Sequence, residues 1–297
     1  MGIEQSLDRL ACRHPEIKET AAFVAALHDT IAQVQLDPFF EPVSVISIKK
    51  EGKKESHELI EVRAQDLNCW TRHISSATIC RMRALEEPII ESLLAGKTLA
   101  TMVLLRGHFE AAAMAAYCLD LLADAARRDQ PEALNCLIPM TLFGTGLKKH
   151  RDKDSIADLV TMCEGDAIRI CHAVDSLDKF YFQEASVGKL AVVYSLLCDY
   201  THPNHRGALD FMQSAERADG WLISYSREEP PNPRMQVHAL ETLLVSMRGG
   251  YAAAEMLRCW RFSLKERGTI ECHWPSVDDG ARIWESLLQR PPGGAGT

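Results

Sequence analysis

Residues 98 to 126, "TLATMVLLRGHFEAAAMAAYCLDLLADAA", are apolar on nearly every side of a helical wheel. A helix of that kind needs apolar neighbours all round, so the stretch predicts the middle member of a helical bundle. At about 100° per residue, Leu99, Val103, Arg106, Glu110, Ala113, Tyr117 and Leu121 fall along one line. Arg106 and Glu110 therefore stand four positions apart in the centre of an apolar stripe. Burying two charges is costly unless each is paired and hydrogen-bonded, so something must meet them. Two readings are open: an internal ion pair that fixes helix register, or a charged pocket where helices meet.

Outward from this helix, the same periodicity predicts helices over 16–36, 66–94, 97–127, 131–148, 155–177, 186–201 and 234–265. The short connections between most of them imply antiparallel neighbours. Val43–Ile48 and Leu59–Arg63 are β-branched segments on either side of a turn that carries Lys49, Lys50, Lys53 and Lys54, and they predict paired strands. "DGWLISYS", residues 219–226, predicts a short strand, and the tail "RPPGGAGT" predicts disorder. The expected fold is mainly α: an antiparallel helical bundle with a small β-hairpin or short-strand appendage. Residues 1–65 form its N-terminal part, 66–268 the bundle and 269–297 a C-terminal segment, together one structural domain.

The 297 residues are 46% hydrophobic and 25% charged, enough for a real core, and the formal charge of −8 opposes non-specific nucleic-acid binding. The ten cysteines include no C-x-x-C pair and read as small buried hydrophobes in a reducing compartment. Neither a signal-peptide core nor an apolar run long enough for a bilayer is visible, so a cytoplasmic protein without membrane contact is expected. The densest basic run, "KKHRDK" at 148–153, reads as an exposed helix end and loop. It is also where Lys148, Lys149 and Arg151 would meet an RNA phosphate.

"CDYTHPNHRG", residues 198–207, concentrates polar chemistry at a helix end. Pro203 disfavours helical geometry at His202, so the helix should stop near Thr201 and release His202 from its C-terminus. Val187, Ala191, Tyr194, Cys198 and Thr201 share one face of that helix; packed on the central helix, this face would bring His202 to Glu110. Asp199, His202 and His205, with Glu110 or His108, offer nitrogen and oxygen ligands suited to zinc, iron or manganese. However, Pro203 disrupts the continuous-helix geometry of di-iron sites, and His108 lies opposite Arg106 and Glu110 on its helix. No metal and no cofactor is expected. "LLAGKT", ending at Thr98, lacks the first glycine of a phosphate-binding loop and follows a helix instead of a strand.

The Arg-x-x-x-Glu pair in "LLRGHFEAAA" and the later "VYSLLCDYTHPNHRG" resemble a group of mostly bacterial helical proteins related to the HEPN superfamily. The resemblance spans roughly residues 70–260 and marks Arg106, Glu110, Tyr194, His202, Pro203 and Gly207. It implies a helical bundle that binds nucleotide or RNA, acts as a homodimer, and belongs to a phage-defence or toxin-type setting. HEPN ribonucleases are metal-independent: a histidine acts as acid or base and an arginine holds the phosphate. Carried over, His202 takes the first role with Glu110 and Tyr194 beside it, and Arg106 or Arg206 takes the second. No arginine lies five to seven positions before His202, where the HEPN pattern places one; that spacing occurs at Arg9–His14 and Arg267–His273, about as often as chance gives, so the resemblance favours the bundle more than the nuclease.

Overall fold

The computed structural model describes residues 2–34, 36, 57–127, 169–182, 188–201, 211–217, 220–226, 232–264 and 270–273. Among them the chain forms seven helices: α1 (Ile3–Arg13), α2 (Lys18–Ala32), α3 (His57–Leu94), α4 (Thr98–Arg127), α5 (Ile170–Phe182), α6 (Lys189–Thr201) and α7 (Pro233–Cys259). Two antiparallel hairpins accompany them: β1 (Met212–Arg217) with β2 (Gly220–Tyr225), and β3 (Arg261–Leu264) with β4 (Ile270–His273). The architecture is a mainly α bundle with a small β appendage.

The helix 98–126 takes the expected position. α4 packs most extensively on α7, then on α3, α5 and α6. Its fully buried side chains include Leu105, Phe109, Ala112, Ala116 and Leu122. The line through Arg106 and Glu110 is not the most buried one, however: Val103 is 48% exposed, and Arg106, Glu110 and Tyr117 are half-buried. The stripe lies at the edge of the core, along the border with α6.

The turn from α3 to α4 shows how local sequence closes the bundle. Gly96 has φ 72°, a conformation that costs glycine nothing. It lets Gly96 N–H donate to Leu93 O at 3.0 Å and Lys97 N–H to Ser92 O at 2.9 Å, the two bonds of a Schellman cap. "LLAGKT" is thus a helix stop. Arg13 from α1 donates to Leu94 O (2.7 Å) and Gln236 from α7 to Leu93 O (3.1 Å), so three helices are fastened at the end of α3. α7 begins with Pro233 in its first turn, and the Asn232 side chain accepts from Met235 N–H at 3.3 Å.

Several expectations are corrected. Leu59–Arg63 belongs to α3, not to a strand: the window contains only two β-branched residues, Ile60 and Val62, and the helix-favouring residues around them carry it. Val43–Ile48 lies outside the described residues, as do 131–148, 155–168 and the C-terminal tail. The helix expected over 155–177 is described from Ile170 and runs on to Phe182. α7 ends at Cys259, six residues before the expected 265, because "RFSL" pairs with "IECH" as β3 and β4. Strand β2 falls where "DGWLISYS" predicts one; its partner β1, "MQSAER", had no β signal. Among the described cysteines most are not buried: Cys12, Cys80 and Cys171 are exposed, Cys69, Cys198 and Cys259 are intermediate, and Cys118 is buried.

Candidate functional site: a charged cluster between α4 and α6

Arg106 and Glu110 are one turn apart on α4, and Tyr194 and Thr201 project toward them from α6. Arg106 Nε donates to Glu110 Oε1 at 2.8 Å, and Nη1 donates to Thr201 Oγ1 at 2.5 Å. Nη2 reaches Tyr194 OH at 3.4 Å, and the guanidinium carbon stands 5.7 Å from the Tyr194 ring centroid. Tyr194 OH in turn donates to Glu110 Oε1 at 2.8 Å. The Tyr194 ring stacks on Phe109, centroids 6.1 Å apart, which anchors the phenol in the core while its hydroxyl faces the charges.

The cluster is neither sealed nor fully open. The side chains of Arg106 and Glu110 are 25% and 26% exposed, so a solute can reach them. Burial disfavours the arginine's charge, but the bonds to Glu110 and Tyr194 more than offset it and hold its pKa above the ordinary value. Burial and then the Glu110 carboxylate push the Tyr194 phenol well above its ordinary value, so it stays a donor at neutral pH. Of the five guanidinium N–H groups, three are engaged by Glu110, Thr201 and Tyr194, and the other two have no partner among the described residues.

Three of the residues singled out in the sequence, Arg106, Glu110 and Tyr194, therefore share one site. His202 is the next residue in the chain after Thr201 and lies outside the described residues, as do Pro203, Arg206, Gly207, Lys148, Lys149 and Arg151. His108 is on the far side of α4, buried, with Nδ1 2.7 Å from Ser246 Oγ. Among the described residues no group of three histidine, cysteine or acidic side chains is arranged to hold a metal ion. No described helix is long and apolar enough to cross a membrane.

Sequence reasoning missed a second polar centre. Glu86 on α3 is 1% exposed at its side chain and lies between α2, α4 and α7. His28 Nδ1 is 2.5 Å from Glu86 Oε2, and Tyr251 OH donates to Oε1. His108 Nε2 approaches Oε1 at 3.8 Å, too far for a hydrogen bond, so its influence is electrostatic. Burial alone would raise the Glu86 pKa, but the histidines and Tyr251 win and hold it at about 2. The signal was available: Met82, Glu86, Ile89 and Leu93 follow helical spacing, so a carboxylate sits in an apolar stripe just as Arg106 does.

No protein-family model, no curated protein and no solved structure matches the chain.

Proposed function

We propose that the chain is a helical-bundle binding protein of the HEPN kind, and that its ligand, a nucleotide or an RNA phosphate, is held at the α4–α6 cluster. The observation that carries this reading is the state of Arg106: its plane is fixed by three internal partners, it is a quarter exposed, and two of its N–H groups have no partner among the described residues. A guanidinium pre-set in this way recognises a phosphate by directed hydrogen bonds at little entropic cost. Glu110 offsets part of its charge, so affinity for a phosphate would rest on directed hydrogen bonds from the guanidinium more than on a positive field. The homodimer belongs to the same reading and is checked by light scattering, where the particle mass should be twice 33.1 kDa.

A second reading, a metal-independent ribonuclease, is favoured by one observation. Arg106 Nη1 is bonded to Thr201, the residue immediately before His202 in the chain. Here His202 would serve as acid or base and Arg106 or Arg206 would hold the phosphate.

One experiment separates the two. Purified protein is incubated with RNA in chelator and titrated with a nucleotide and a labelled RNA oligomer, beside Arg106→Ala and His202→Ala variants. Binding that weakens about tenfold in Arg106→Ala without any cleavage supports the binding protein. Cleavage lost in both variants supports the ribonuclease. Absence of binding and cleavage, with variants that merely melt earlier, overturns both.

A further inference from the structure

Glu86 and its partners are not needed by the α4–α6 cluster, and one of them opens to the outside. His108 is fully buried, whereas the His28 side chain is 24% exposed. His28 lines a cavity of about 510 Å³ whose other described lining residues are Ile3, Cys80, Arg83, Ala84 and Glu87. Because the ionised Glu86 carboxylate only accepts hydrogen bonds, the proton between them sits on His28 Nδ1. Nε2 is then the ring nitrogen left for a ligand, and Glu86 favours the charged, doubly protonated ring.

Arg83 brings a second positive charge to the same place. It acts electrostatically on both His28 and Tyr251, and no described carboxylate forms an ion pair with it. Beyond Arg83 and Glu86, the groups that act on His28 include Asp29 from α2; His108 from α4 and Tyr251 from α7 face it across Glu86. The cavity thus holds a half-buried arginine without an ion-pair partner among the described residues, a histidine oriented from behind, and apolar wall from Ile3 and Ala84.

We propose that this cavity binds a small organic carboxylate, held between the Arg83 guanidinium and the His28 ring, with Glu86 as the positioning residue that fixes the ring from behind. A carboxylate suits the two donors, and Ile3 and Ala84 suit a short carbon chain. Glu87 in the lining opposes a dianion, so inorganic phosphate should bind more weakly. The site is separate from the α4–α6 cluster and stands or falls independently of the function proposed there.

The test titrates histidine-labelled protein with butyrate, succinate and inorganic phosphate while following the His28 ring by NMR. In parallel, the rate of Cys80 alkylation is read by mass spectrometry against the exposed Cys12 and Cys171. A bound carboxylate should shift the His28 signals and slow Cys80 alone, because Cys80 lines the cavity. Arg83→Gln should weaken butyrate at least about tenfold with unchanged circular dichroism. Glu86→Gln should lower the His28 titration midpoint and weaken binding with it. The proposal is overturned if carboxylates up to about 20 mM leave His28 and Cys80 unchanged, or if Arg83→Gln binds as the parent does. Phosphate binding more tightly than butyrate overturns the ligand class.

Discussion

Arg106 Nη1 lies 2.5 Å from Thr201 Oγ1, although 95 positions separate the two residues in the chain. The bond joins the first half of α4 to the last residue of α6, and Glu110 and Tyr194 complete the joint. Arg106→Met removes every one of these arginine bonds and leaves Glu110 with Tyr194 alone. Since both charges are a quarter exposed, water compensates in part, and the expected loss is about 1–2 kcal/mol. Arg106→Lys should recover little of it, because an ammonium cannot serve partners in three directions in one plane. Thr201→Val should cost about 1 kcal/mol. Urea denaturation reads all three; parent-like stability throughout would mean that the joint does not hold α6.

Tyr194 tests the same joint from the other side. Its folded pKa is raised above the ordinary 10.0 by burial and then by Glu110. A raised folded pKa means that the stabilisation is complete below pH 10 and is lost as pH rises through the folded value. Tyr194→Phe should therefore cost about 1 kcal/mol at neutral pH and lose less stability than the parent on going to strong alkali. An ultraviolet titration in which every tyrosine ionises at the ordinary value would refute this.

The Glu86–His28 pair predicts a stability maximum in mildly acidic solution. Glu86 is depressed from 4.5 to about 2, so its stabilisation is complete above pH 4.5 and lost as pH falls through about 2. His28 is raised from 6.5, mainly by its bond to Glu86, so its stabilisation is complete below pH 6.5 and lost as pH rises through the folded value. Both are present together between pH 4.5 and 6.5. Denaturant midpoints measured below, within and above that window should peak inside it. Glu86→Gln should flatten the acid side, removing on the order of 3 kcal/mol of pH-dependent stability.

What the sequence shows and hides follows from where each signal is local. The bundle and its central helix are legible because 98–126 is apolar on nearly every side while Arg106, His108 and Glu110 interrupt it, a pattern that suits a helix enclosed by others better than a membrane span. The meeting of Arg106 with Glu110 is legible from their spacing, and Tyr194 and Thr201 share one face of a helix that packs on α4. Glu86 and Glu87 are adjacent acids that lie about 100° apart on a helix, so one faces the core in line with Met82, Ile89 and Leu93 while the other is exposed. His28 and Tyr251 meet Glu86 from 58 and 165 positions away, and no pattern within a helix predicts such contacts. Strand β1 was hidden because Met212, Gln213, Ala215, Glu216 and Arg217 favour helices, and only pairing with β2 makes them a strand.

Gly107 and Gly250 should respond to alanine in opposite directions. Alanine is favoured over glycine inside a helix by about 1 kcal/mol, so the sign at each site depends on the space for one methyl group. At Gly107 the nearest neighbour of an added Cβ is Leu85 Cδ1 at 3.5 Å, an ordinary contact, and Gly107→Ala should stabilise by about 0.5–1 kcal/mol. At Gly250 an added Cβ would stand 2.6 Å from the Ala112 Cβ and 2.7 Å from the Met82 Sδ. Met82 can swing aside, but the Ala112 Cβ is fixed to the α4 backbone, so α7 and α4 must move apart. Gly250→Ala should therefore destabilise by about 1–3 kcal/mol despite its better propensity. Adding Ala112→Gly reopens that contact and should return part of the loss, a coupling that a propensity effect cannot produce. Equal signs at the two glycines, or strict additivity in the double variant, would show that α7 does not cross α4 at Gly250 and Ala112.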